Sequence, residues 1–137
     1  MIAVVLDSNV YISALLLGGN PRRIIRLAEI GLIQLYSSRE LQAEVERVLT
    51  AKFHWQQMRV IGATKYLWSL TRRVRPTSKV TDCVDSDDNR VLECAIEARA
   101  GWLITGDQHL LALHPYRHVA IVTPRQFLDS STWRKEE

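Results

Sequence analysis

The chain has 137 residues and a net charge of +3, with 47% hydrophobic and 24% charged residues. This is enough apolar material for one buried core, which excludes dominant disorder, while six Gly and four Pro exclude collagen-like and low-complexity classes. No apolar run approaches the roughly 18–20 residues of a membrane span, the opening MIAVVLDSNV lacks the basic region of a signal peptide, and two cysteines, Cys83 and Cys94, are too few for a disulfide scaffold, so a cytoplasmic protein without membrane contact is expected.

In chain order, Ile2–Leu6 is a short β-branched run that predicts a strand buried on both faces. Val10–Leu17 reads as a helix stopped by Gly18-Gly19-Asn20, and Pro21 opens another that Gly31 ends. Ile33–Tyr36 is a second strand. Ser37 or Ser38 caps the next helix, which carries Leu41, Val45, Val48 and Leu49 at helical spacing. Trp55–Leu70 is expected to be helical despite Gly62, and Arg73–Val80, containing Pro76, reads as an extended stretch or edge strand. A helix from Asp87 or Asp88 runs to about Ala100, with Gly101 in the place of a C′ glycine. Trp102–Thr105 is a strand, Gln108–Leu113 a short helix, Val119–Val122 a last strand, and Pro124 opens a final helix through Leu128. The boundaries give a single domain over 1–129 and a polar tail over 130–137.

Strands separated by helices pair in parallel, and right-handed crossovers then cover both faces. The expected fold is therefore a three-layer α/β/α sandwich on a mostly parallel sheet. In such sheets ligands bind beyond the carboxyl ends of the strands. Asp7 directly follows the first strand, and Asp107 follows Trp102–Thr105 after one Gly.

Charge is unevenly distributed. From Arg47 to Thr81 there are eight basic residues and no acid, whereas from Asp82 to Asp107 seven carboxylates face two arginines. A basic segment suits a polyanion and a carboxylate cluster suits a hard divalent cation, which together suggest metal-assisted phosphodiester chemistry. The competing reading is ordinary solvated surface charge.

Helical phase, at about 100° per residue, separates the acids. Val91, Leu92, Ala95 and Ile96 centre within about 10° of Asp88, so Asp88 lies on the apolar stripe, while Glu93 and Glu97 are expected to face water. An inward carboxylate needs a pair, hydrogen bonds or a metal; its competing role is to cap the helix, which Asp85 or Asp87 could also do. Glu44 flanks its stripe, and phase alone does not select it. The four histidines show no zinc-ligand spacing with the cysteines, and the four tryptophans read as core or partner contacts. No phosphate-cradling glycine motif or nucleophile elbow is present, and Asp7-Ser8-Asn9 lacks the second Asp of a D-x-D phosphatase.

Four segments in order, Leu6-Asp7-Ser8-Asn9-Val10, Ser38-x-x-Leu41-x-x-Glu44-Val45, Asp85-Ser86-Asp87-Asp88-Asn89 and Leu103-Ile104-Thr105-Gly106-Asp107, resemble the PIN-domain nucleases, and among them the toxin branch of prokaryotic toxin–antitoxin systems. The resemblance spans about residues 2–128. It implies an acidic pocket of Asp7, Glu44, Asp88 and Asp107 that binds Mg²⁺ or Mn²⁺ and cleaves single-stranded RNA. Ser8, Asn9, Asp85, Asn89 and Thr105 would support that pocket. A metal-activated water needs no 2′-OH attack, so products with 5′-phosphate and 3′-hydroxyl ends are expected. The basic 47–81 segment, including Arg72, Arg73 and Arg75, together with Arg22 and Arg23, is a candidate track for the RNA backbone. A cognate antitoxin is the implied partner, and residues around Trp55–Leu70 offer a candidate homodimer face. The alternatives are a PIN-type RNA-processing nuclease without a toxin role, and a domain that binds RNA or protein without catalysis.

Overall fold

A computed structural model describes residues 1–130 and 133–134. Five strands, β1 (Ile2–Leu6), β2 (Ile33–Ser38), β3 (Thr71–Val74), β4 (Trp102–Ile104) and β5 (Ala120–Val122), form one sheet in the order β3-β2-β1-β4-β5, with every neighbouring pair parallel. The helices among the described residues are α1 (Ser8–Leu16), α2 (Gly19–Glu29), α3 (Arg39–Ala51), α4 (Gln57–Ser69), α5 (Ser86–Glu97), α6 (Gln108–Leu111) and α7 (Pro124–Asp129). This is the three-layer α/β/α architecture expected from strands that alternate with helices. The continuous apolar runs do become strands covered on both faces: Val4, Val5, Leu6, Leu35, Leu103 and Ile104 are fully buried.

The strand order places the site. From β1 the chain steps through β2 to β3 on one side, and β4 and β5 lie on the other. The sheet therefore changes direction between β1 and β4. Diverging connections leave a crevice at the carboxyl ends of two such strands. Asp7 and Thr105 are the residues that follow β1 and β4, and the Asp7 N–H donates to the Ile104 carbonyl at 2.9 Å, tying the two strand ends together.

Several local expectations are corrected. β3 occupies Thr71–Val74 and so shares only Arg73 and Val74 with the 73–80 stretch read as extended. It is an edge strand, and Pro76 beyond it has no N–H for a ladder. The following segment is held by Glu93, which is buried where it was expected to face water, and by the half-buried Glu97. Glu93 is buried and accepts from the Val80 N–H at 2.8 Å and from Arg90 at 3.0 Å. Glu97 accepts from the N–H and hydroxyl of Thr77, both at 2.9 Å. A helical-phase argument assumes solvent outside the helix; here a long connection covers that face. Gly101 is not the C′ residue either. Arg99 is the C′ residue, in the left-handed conformation at φ 52°, and closes the helix with its N–H on the Ile96 carbonyl and the Ala100 N–H on the Ala95 carbonyl, both at 3.0 Å.

Ser38, not Ser37, caps α3, accepting from the Leu41 N–H at 3.2 Å. Ser37 instead bonds Thr71 and Gln42. The tryptophans pack as expected: Trp68 edge-on to Tyr11, Trp102 edge-on to Phe127, and Trp55 beneath the Arg59 guanidinium at 3.7 Å. Within the stretch read as a polar tail, Trp133 is buried in the core and its indole donates to the Phe127 carbonyl at 3.1 Å. Residues 131–132 and 135–137 of that stretch lie outside the described residues.

Candidate metal centre

The site begins where β1 turns into α1. Asp7 leaves the strand buried, and one carboxylate oxygen accepts from the Ser8 N–H at 2.8 Å, capping α1. The other accepts from the Thr105 hydroxyl at 2.8 Å. Thr105, fully buried after β4, also accepts at the same hydroxyl from the Asp107 N–H at 3.0 Å. Thr105 thus connects the acids of the two central strand ends. Asp107 caps α6 through the His109 N–H at 2.8 Å, and the His109 ring lies 3.4 Å from the same oxygen. One Asp107 oxygen makes the cap and the second is not needed for it.

The remaining two acids come from helices. Glu44 is on α3, and the Ser8 hydroxyl donates to its carboxylate, so Ser8 joins Glu44 to the Asp7 turn. Asp88 is in the first turn of α5 and is buried, as its phase on the apolar stripe requires. Asp85, exposed, takes the capping role there, accepting from the Asp87 N–H at 2.8 Å. This leaves Asp88 free of capping. Asn89 holds the preceding loop through both amide atoms, accepting from the Cys83 N–H at 2.8 Å and donating to the Cys83 carbonyl at 3.0 Å. Asn9 is exposed in the first turn of α1, and its side chain makes no hydrogen bond among the described residues.

Asp7 is the acid common to the cluster's repulsion, raising both Asp88 and Glu44, while Asp107 raises Asp7 and Asp88. Burial pushes the Asp7 carboxyl up, partly opposed by the Thr105 and Ser8 hydrogen bonds, with Asp107 raising it further. Asp88 is pushed up to about 7, first by burial and then by the charges of Asp107, Asp85 and Asp7. Glu44 is pushed up to about 7, first by burial, opposed by the Ser8 bond, and raised by Asp87 and Asp7. Acids that raise one another in this way resist simultaneous ionisation without a counter-charge.

The N-terminal ends of α1, α5 and α6 supply part of that counter-charge, since three of the acids sit at those ends. Arg47 supplies more. It lies 3.2 Å from Asp87 and 3.9 Å from Glu44, bridging α3 to α5 at the mouth of the cluster. Sequence reasoning counted Arg47 only as part of a basic segment. Its spacing of three from Glu44 on one helix was the signal available.

Among the described residues no three acidic, histidine or cysteine side chains already close around a common point. Glu44 is turned to Ser8 and Arg47, and Asp7 to Thr105. The donor set nevertheless fits a hard cation. All its donors are oxygens, and Mg²⁺ binds through few carboxylates while keeping several waters. The raised protonation of Glu44 and Asp88 is what a divalent charge would relieve. Of the cations assigned to nucleic acid, Arg22 and Arg23 are exposed on α2, Arg72 and Arg73 are exposed on β3, and Arg75 is exposed just beyond it.

The family model described as PIN domain matches residues 3–109. Uncharacterized protein MJ1680 of Methanocaldococcus jannaschii is 29% identical over 141 residues, covering 93% of this chain and 90% of that protein. In three dimensions the chain is similar to the crystal structure of VapBC2 from Rickettsia felis bound to a DNA fragment from their promoter. The TM-score is 0.65 at 14% identity, over 88% of this chain and 97% of that chain, a likeness of fold.

Proposed function

The chain belongs to the PIN domain family, and on that premise we propose that it is a divalent-metal-dependent endoribonuclease that cleaves single-stranded RNA and acts as the toxin of a toxin–antitoxin pair. The observation that carries the reading is the Asp7–Thr105–Asp107 chain of hydrogen bonds at the point where the sheet changes direction, with the Asp7 charge raising the carboxyls of both Glu44 and Asp88.

Asp7, Glu44, Asp88 and Asp107 would hold Mg²⁺ or Mn²⁺. When bound, such an ion lowers the pKa of water for in-line attack on phosphorus and stabilises charge on the phosphate. The protein's own contribution is positioning. Thr105 fixes the Asp7 carboxylate and the backbone entering Asp107. Ser8 fixes Glu44, and Asp85 and Asn89 fix the start of α5 and the loop before it, so that Asp88 projects inward. No histidine is required as general base. Arg22, Arg23, Arg72, Arg73 and Arg75 would contact the RNA backbone without reading sequence.

A cognate antitoxin protein is the proposed partner. The motif pattern supports it, and so does the fold likeness to VapBC2. The exposed Met58, Ile61 and Tyr66 of α4 are the proposed homodimer face.

The experiment is incubation of the purified protein with end-labelled single-stranded RNA, with and without Mn²⁺. Cleavage is expected only with the ion, leaving 5′-phosphate and 3′-hydroxyl ends, and Asp7→Asn abolishes it. Cyclic 2′,3′-phosphate ends, or full activity in Asp7→Asn, would overturn the mechanism. The toxin role is tested separately: induced expression should arrest growth of a bacterial host, and Asp7→Asn should not.

A further inference from the structure

One cleft of about 760 Å³ is not explained by the acidic centre. It lies between the start of α3, the segment leaving β3, and the second turn of α5. Arg39, Arg73, Arg75, Lys79 and Arg90 bring five cations to it, against Glu40 and Glu93. Glu93 is already committed to Arg90 and the Val80 N–H. Among the described residues no carboxylate lies within ion-pair distance of Arg39, Arg73, Arg75 or Lys79. All four are exposed. The result is a concave surface with four unpaired cations, three of them guanidinium forks that match phosphate geometry.

The cleft and the acidic centre are two ends of one seam. α3 and α5 pack in opposite directions along it: Arg47 on α3 meets Asp87 at the start of α5, whereas Arg39 and Glu40 at the start of α3 meet Arg90 and Glu93 further along α5. Glu44 lies five residues beyond Arg39, and Arg90 two beyond Asp88. At about 1.5 Å per residue these offsets are about 3–8 Å of axial rise, while at about 100° per residue the basic and acidic side chains leave the helices on different faces. A polynucleotide strand occupying both sites would follow the surface around this helix pair.

We propose that the Arg39–Arg73–Arg75–Lys79 cleft is a phosphate subsite for a nucleotide of the RNA strand away from the scissile bond. This rests on the ribonuclease reading and deepens it. Arg72, on the same strand as Arg73 but absent from the cleft lining, is not part of the subsite.

The test is binding, with activity removed. In an Asp7→Asn background with metal chelated, the affinity for a short labelled single-stranded RNA is measured by anisotropy across about 50–200 mM salt. Arg73→Gln/Arg75→Gln is compared with Arg117→Gln/Arg125→Gln, which removes the same charge elsewhere, and with Arg39→Gln. The cleft pair should lower the magnitude of the log K against log salt slope by about 1.4, at about 0.7 per lost phosphate contact on a single strand, and Arg39→Gln by about half as much. The control pair should change it by much less. Equal losses in cleft and control pairs overturn the subsite. So does displacement of the RNA by polyglutamate as effective as by oligonucleotide, which would assign the cleft to an acidic protein segment. If the cleft pair alone loses binding but the unsubstituted enzyme with Mn²⁺ leaves RNA intact, the subsite stands and the nuclease reading fails. If RNA is cleaved while the cleft pair binds normally, the reverse holds.

Discussion

The Thr105 hydroxyl donates to the Asp7 carboxylate at 2.8 Å across a sequence separation of 98 residues. The same oxygen receives the Asp107 N–H at 3.0 Å. One buried side chain therefore sets the spacing of two acids that come from neighbouring strands, at the crevice where parallel sheets bind ligands.

Removing that hydroxyl without changing side-chain shape isolates its effect. Thr105→Val should weaken Mn²⁺ binding by about 10-fold or more, the usual cost of losing an outer partner of a metal-binding carboxylate. Thr105→Ser, which keeps the donor, should recover most of it. Calorimetric titration of Mn²⁺ into each variant is the check; equal affinities for Val and Ser would show that Thr105 only packs.

Metal-free stability should depend on pH with a definite sign. Glu44 and Asp88 are held up to about 7 in the folded protein, above their ordinary carboxylate range. Between the unfolded value near about 4 and the folded value the native state binds more protons than the unfolded state, so stability falls as pH rises through that window. The urea midpoint should be higher at pH near 5 than near 7.5. Glu44→Gln/Asp88→Asn should flatten the profile, and Mn²⁺ should raise the midpoint most at the alkaline end. A midpoint that rises with pH in the metal-free protein contradicts this account of the acidic cluster.

Tyr11 is fully buried against Trp68, and its hydroxyl has no hydrogen-bond partner among the described residues. Burial pushes the phenol well above its ordinary range. An unsatisfied buried donor costs free energy, so Tyr11→Phe should stabilise the fold by about 1 kcal/mol. Chemical denaturation measures this directly, and a loss of stability would reveal a partner for the hydroxyl.

Glu93 shows the opposite case. Its buried carboxylate accepts from the Val80 N–H and Arg90. Glu93→Ala leaves the buried Val80 N–H unpaired and Arg90 with only the Val80 carbonyl at 3.2 Å, and should cost about 2–3 kcal/mol. It should also release the segment between β3 and α5, seen as faster amide exchange at Val80. Unchanged exchange at Val80 would mean that the segment is held by its other contacts.

The apolar, β-branched run Ile2–Leu6 announced a strand buried on both faces, Ile33–Tyr36 and Trp102–Thr105 read as further strands, and their separation by helices announced parallel pairing. Phase on α5 singled out Asp88, since a stripe of Val91, Leu92 and Ala95 fixes which way the helix turns. Phase could not choose Glu44, and for a physical reason: its environment comes from Ser8 on another helix. It also misassigned Glu93, because no local pattern says that residue 80 will lie over that face.

The one-dimensional chain thus determined the elements, their parallel pairing and the acids at strand ends, all of which follow from short-range periodicity and backbone chemistry. Only the tertiary structure decided the Thr105 link between Asp7 and Asp107, the place of Arg47 at the mouth, and the joining of α3, the β3 exit and α5 into one basic cleft. These depend on which distant surfaces meet when the sheet is wound. That choice is made by the packing of the whole core, which no window of neighbouring residues contains.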